Sequence, residues 1–210
     1  MTVSRDWTEI TTEAELRELV GAPLPRVRDK GRSVLHEVDR AWIAAAPLCL
    51  LGTSDAQGGC DVSPRGDPGG VAHVLDERTL VIPERPGNRR ADSLRNVLAN
   101  PRVGLLFIIP GRGDTLRVTG RAKIVRDAPL LADLTVEGHR PELALVVEVS
   151  ELFYHCPKAF LRSALWDPAS WRPAAAPRRA VIAKAVERQD EDLAELDRYY
   201  GPSYAERLYG

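Results

Sequence analysis

With 210 residues, 44% of them hydrophobic, the chain has material for one packed domain with helical additions and not for two large independent cores. Its 29 basic and 30 acidic side chains leave a formal net charge of −1, which lacks the bulk electrostatics of a nucleic-acid or anionic-membrane binder. Three cysteines, Cys49, Cys60 and Cys156, form no CxxC pair and cannot all pair within one chain, so a reducing, cytoplasmic compartment is expected. Early acidic residues argue against a signal peptide. The longest apolar runs, near 41–51 and 103–110, are too short to span a bilayer.

Thr12 followed three residues later by Glu15 is a capping-box pattern. Leu16, Leu19 and Val20 then form a short apolar face that Gly21 ends. Leu35, Val38, Trp42 and Ile43 predict a second helix that stops before Pro47 and has room to pack on a barrel. From Leu48 the texture becomes a meander of short strands: LCLLGT, CDVSP, AHVL and TLVIP, separated by SDAQGG, RGDPGG and DER. Asn88 is the predicted N-cap of a helix in RRADSLRNVLAN, with Leu94, Val97 and Leu98 as its apolar stripe and Asn100-Pro101 as its stop. RVGLLFII and TLRVTGRAKIV flank a PGRGD turn and read as a hairpin, and LALVVEVSEL supplies a further strand. HCPKAFLRSALW opens a short helix, DPASWRPAAAP is a loop, and VIAKAVERQDEDLAELDRYY reads as helical. The expected organisation is an N-terminal helical segment over 1–47, a strand-rich domain over 48–166, and a C-terminal loop and helix over 167–210. Six or so mostly antiparallel strands with flanking helices, and no βαβ alternation, predict an α+β fold whose strands close into a barrel.

Three segments carry candidate chemistry. In TLVIPERPGNRR a strand turns through Pro86-Gly87 and delivers Asn88, Arg89 and Arg90 to a helix start, where free amides and the positive end of the helix dipole gather. That arrangement suits a phosphate; spacing alone supports equally a solvated charge cluster around Asp92. In CDVSPRGDPGG, Ser63, Arg65 and Asp67 set a hydroxyl, a guanidinium and a carboxylate beside glycines. They are suited to the polar edges of a planar ligand, although a plain surface turn at Asp67-Pro68-Gly69 has the stronger claim from these residues alone. In the third segment Lys158 and Arg162 share a helical face four residues apart, with Trp166 nearby as a buried anchor or seam residue. No metal-ligand spacing, P-loop, dinucleotide fingerprint or hydrolase elbow occurs.

Taken together, CDVSPRGD, TLVIPERPGNRRADSLRNVLANPRVGLLFIIPGRGDTLRVTGRA and YHCPKAFLRSALW resemble the pyridoxamine 5′-phosphate oxidase-like, FMN-binding split β-barrel superfamily over about residues 48–166. The resemblance implies that Asn88, Arg89 and Arg90 hold the FMN phosphate, that Ser63, Pro64, Arg65 and Asp67 lie along the isoalloxazine, and that Ile82, Pro83 and Arg85 border the ring and ribityl chain. It implies a homodimer with two FMN sites at the interface, so that Lys158, Arg162 and Trp166 reach the partner's flavin, and an oxidoreductase acting on a small molecule. A deazaflavin cofactor, or a non-catalytic flavin or haem carrier or sensor, are the competing readings. The C-terminal Arg-x-His arrangement of the oxidase itself is missing, which puts pyridoxamine phosphate oxidation in doubt.

Overall fold

The computed structural model describes residues 7–209, and the chain divides into two compact units, one ending at Gly31 and the other beginning at Arg32. In the first unit, helix α1 (Glu13–Val20) starts as the capping box requires: the Glu15 amide donates to Thr12 Oγ1 at 3.2 Å and the Thr12 amide to Glu15 Oε2 at 3.1 Å. Gly21, at φ 73°, closes it. Its apolar face is exposed, Leu19 by 72%. A single turn, α2 (Pro25–Arg28), follows with proline in its first position.

The second unit opens with α3 (Glu37–Ala45), which buries Trp42 and Ile43 but leaves Val38 outside. Asp39 anchors this helix. Its carboxylate is fully buried and accepts two hydrogen bonds from Arg32, one from the His36 amide and one from the Tyr154 hydroxyl.

Seven strands follow: β1 (Leu48–Ser54), β2 (Cys60–Gly66), β3 (His73–Val74), β4 (Thr79–Pro83), β5 (Arg102–Ile108), β6 (Thr115–Arg126) and β7 (Leu143–His155). Every pairing is antiparallel, and the order across the sheet is β2-β1-β5-β6-β7-β4-β3. In a flat sheet, β2 and β4 would stand five strand spacings apart, roughly 24 Å. Here the ends of those two strands meet through ion pairs, Arg65 with Glu84 and Asp67 with Arg85. The sheet therefore curls into a barrel that side chains close across the split between β2 and β4. At the β6–β7 bulge a side chain on Gly120 would lie 2.2 Å from the Glu148 carbonyl oxygen, so only glycine lets the two strands approach there.

The barrel interior holds one core cluster with Cys49, Leu51, Leu80, Ile82, Leu105, Phe107, Leu116, Val118, Leu145 and Leu152. Burial pushes the Cys49 thiol up to about 12, with the Arg65 charge pulling the other way. Helix α4 (Asp92–Ala99) adds Val97 to this core. It is stitched to β1 by Asn96 Nδ2 donating to Thr53 Oγ1 at 3.0 Å and by Asn100 Nδ2 donating to Ser54 Oγ at 2.9 Å. Leu98, expected on the buried stripe, is 78% exposed. A second cluster, Val81, Leu131, Leu134 and Ala144, covers the other face of β4 and β7.

After β7 come α5 (Lys158–Ser163), two 3₁₀ turns, α6 (Arg179–Val186) and α7 (Leu193–Tyr199). The single helical run expected at the end of the chain is thus broken in two. Asp192 starts the second helix by accepting from the amides of Ala194 and Glu195. Ala180, Ala183 and Leu196 make a small core of their own. Among the described residues no helix is long and apolar enough to cross a membrane.

Candidate functional site

The split between β2 and β4 opens into a cleft of about 1220 Å³. Residues 61–67 form one wall, 83–94 the other, and 138–143 the outer rim. Strand register explains the first wall. Arg65 lies opposite Cys49, which lies opposite Phe107, so the Arg65 side chain is on the core face of a strand whose outer edge is unpaired. Its guanidinium bonds Glu84, while its Nε is buried with no partner among the described residues. A buried donor left unmatched costs on the order of 1–3 kcal/mol, and a ligand in the cleft is a direct way to recover that cost. Ser63, two residues earlier on the same face, shares a 2.9 Å hydroxyl contact with the buried Ser93, whose hydroxyl donates to Asp61 at 2.6 Å. These bonds fix the start of α4 against β2.

Asp67 is nearly enclosed and meets Arg85 through Nη2 at 2.5 Å and Nε at 3.0 Å. Arg85 also donates to the carbonyl oxygens of Leu134 at 2.8 Å and His139 at 3.3 Å. It therefore joins both walls and the rim. The structure engages Asp67 and Arg85 with each other, so the donor left over near the ring-binding expectation is Arg65.

The phosphate candidates sit where the chain leaves Pro86-Gly87. Asn88, Arg89 and Arg90 all line the cleft and are exposed. Asn88 is not the N-cap of α4. Its Oδ1 accepts from the Arg90 amide at 3.0 Å, closing a local turn, and the helix begins four residues later, at Asp92, behind its N-cap Ala91. Arg89 and Ala91 both adopt positive φ, 60° and 56°, a conformation costly for side chains with a Cβ and concentrated at functional loops. Arg90 pairs with Asp92 at 2.7 Å, and this pair raises its pKa; among the described residues no ion pair engages Arg89.

Of the remaining expected residues, Pro64 and Pro83 line the cleft, whereas Ile82 points into the barrel core. Lys158, Arg162 and Trp166 lie outside the cleft in the single chain. Trp166 instead stacks on Phe160 and donates its indole N–H to the Arg112 carbonyl at 2.6 Å. Sequence reasoning missed Glu84, Ser93, His139, Arg140 and Tyr209. The charge order was a usable signal for the first of these, since Arg-x-Asp at the end of β2 is answered by Glu-Arg after β4.

A search of curated proteins finds no match for this chain. Solved structures similar to it include HupZ of Group A Streptococcus, 17% identical over 57% of this chain and 93% of that one, with a TM-score of 0.47. An FMN-binding protein from Syntrophomonas wolfei is 12% identical over 56% and 83% of the two chains, with a TM-score of 0.46. HutZ, the haem storage protein from Vibrio cholerae, is 19% identical over 57% and 93%, with a TM-score of 0.41. A family model described as pyridoxamine 5′-phosphate oxidase matches residues 35–156, more than half of the sequence and the whole of the barrel that builds the cleft. By that match, the chain belongs to the pyridoxamine 5′-phosphate oxidase family.

Proposed function

We propose that the cleft binds FMN and that the protein is an FMN-dependent oxidoreductase acting on a small molecule as a cytoplasmic homodimer. The observation that carries this reading is the pairing, within one cleft, of the unmatched Arg65 Nε with an exposed basic turn at Asn88, Arg89 and Arg90. The residues present fit the group. Arg89 and Arg90 offer two charge-assisted donors to a phosphate, and Ser63, Pro64 and Arg65 line the wall for the flat ring. When bound, FMN supplies hydride and single-electron chemistry that the side chains cannot.

The chain's own part is to bind, orient and tune. Arg65, paired on one side with Glu84, presents a fixed positive charge whose free donor stabilises negative charge on a bound ring. Asp67 and Arg85 neutralise one another and tie the two walls together.

The dimer part rests on the outer face of the barrel. Leu50, Leu106 and Phe153, with the ion-paired Arg117 between the last two, form one cross-strand row on that face, with Leu48 and Ile108 beside it. An apolar sheet face of this kind is suited to a partner copy, and such a partner gives Lys158, Arg162 and Trp166 a second cleft to reach. The experiment that tests the cofactor reading is titration of FMN and of riboflavin into the wild type and into Arg89→Glu/Arg90→Glu. FMN affinity should fall while riboflavin affinity stays; equal FMN affinity in the two proteins removes the phosphate assignment.

A further inference from the structure

The outer rim of the cleft contains an aromatic contact that the cofactor reading does not use. His139 sits on a tight turn in which Val136 and His139 exchange both backbone hydrogen bonds around Glu137 and Gly138, at φ 49° and 81°. The His139 carbonyl oxygen accepts from Arg85, which fixes the turn to the cleft wall. Against the imidazole lies the ring of Tyr209, 5.1 Å between centroids and 16° from parallel. Tyr209 arrives from the 3₁₀ turn Pro202–Arg207, and among the described side chains of residues 201–209 it alone lines the cleft. Its neighbour Leu208 is 57% exposed. One half-buried side chain is thus what this stretch inserts. Burial first, and then the charges of Asp67 and Glu137, hold the Tyr209 hydroxyl above the usual phenol range against the opposing charge of Arg85.

We infer that Tyr209 is a gate: it fills an aromatic subsite on His139 at the mouth of the cleft, and a flat aromatic ligand enters by taking its place. The stack is the geometry a planar guest adopts on an imidazole, and Arg85 and Asp67 lie close enough to influence the guest's hydroxyl group as they do that of Tyr209. The inference rests on the FMN reading for the identity of the neighbouring occupant and not for the subsite itself. The size of the effect follows from population. A gate seated nine-tenths of the time leaves about one-tenth of molecules open, which weakens the apparent affinity of a competing ring about tenfold.

The test uses p-cresol, the free equivalent of the tyrosine side chain, titrated into the full chain by calorimetry or by NMR of the His139 ring. Tyr209→Ala should bind p-cresol about tenfold more tightly than the wild type. Tyr209→Phe, which keeps the ring, should stay within about threefold of it, and Tyr209→Ala/His139→Ala should lose the gain. Circular dichroism and thermal melts check that each variant is folded. FMN is titrated in parallel. A gain in p-cresol affinity in a protein that binds no FMN supports the gate and sinks the cofactor reading. FMN binding with no gain in Tyr209→Ala, or a gain that survives loss of His139, overturns the gate.

Discussion

Asp67→Asn tests whether side chains close the barrel. Asp67 is 3% exposed in its side chain and Arg85 13%, so the substitution leaves a guanidinium facing a neutral amide in a nearly dry seam. Removing one partner of a buried pair costs about 3–5 kcal/mol. Arg85 keeps two carbonyl acceptors, Leu134 and His139, so the low end, about 3 kcal/mol, is expected. With a urea m-value of about 2–3 kcal/mol/M, the midpoint should fall by about 1–1.5 M. Arg85→Met and the double variant complete a cycle whose coupling should exceed about 1 kcal/mol. Equilibrium urea unfolding followed by tryptophan fluorescence gives all four values. A loss under about 1 kcal/mol for Asp67→Asn, together with zero coupling, would refute closure by this pair.

Asp39, the three cysteines and Leu50 give three further expected outcomes. Burial alone would raise the Asp39 pKa, but Arg32, the His36 amide and the Tyr154 hydroxyl outweigh it and leave the group below its ordinary 3.8. A depressed carboxylate contributes stability above its unfolded pKa and loses it as pH falls. Asp39→Asn should therefore cost about 2–3 kcal/mol at pH 7, discounted from the fully buried range because Arg32 is partly exposed. The gap to wild type should be constant above about pH 5 and shrink below about pH 4 in pH-dependent melts. Cys49, buried and with its pKa at about 12, should resist a thiol reagent at pH 8 until the protein is unfolded, whereas the exposed Cys60 and Cys156 react in the native state. Leu50→Glu, in the outer cross-strand row, should convert a dimer of the wild type to monomer in light scattering; a wild type that is already monomeric at micromolar concentration contradicts the proposed assembly.

The sequence was most legible where periodicity and local chemistry agreed. The β5–β6 hairpin, β4 and the Thr12–Glu15 cap form on the expected segments, and β7 forms there too but runs on to His155, because alternating burial and a capping box are local signals. The start of α4 was misjudged because Asn88 spends its carbonyl oxygen on a turn, and two residues with positive φ carry the chain on to Ala91. The final helix was misjudged because Asp192 is a cap within a run of otherwise helix-forming residues. Arg65 and Asp67 stood out by their types, beside the plain turn those residues equally allowed, but the ion pairs they make did not. Glu84 and Arg85 lie 19 and 18 residues away in sequence, and only the curl of the sheet brings the strands together. His139 and Tyr209 carried no local motif, since their meeting depends on how a distant segment returns to the rim.

The central claim, an FMN site built on the Arg65 wall and the Asn88–Arg90 turn, is tested most directly by FMN titration followed through quenching of flavin fluorescence. Wild type should bind one FMN per chain, and Arg89→Glu/Arg90→Glu, folded by circular dichroism, should bind at least about 10- to 150-fold more weakly, the equivalent of losing one charge-assisted donor of about 1.5–3 kcal/mol. Riboflavin, which lacks the phosphate, should bind both proteins within about threefold. A wild-type chain that leaves FMN fluorescence unquenched at saturating protein, or a double variant with undiminished FMN affinity, contradicts the account.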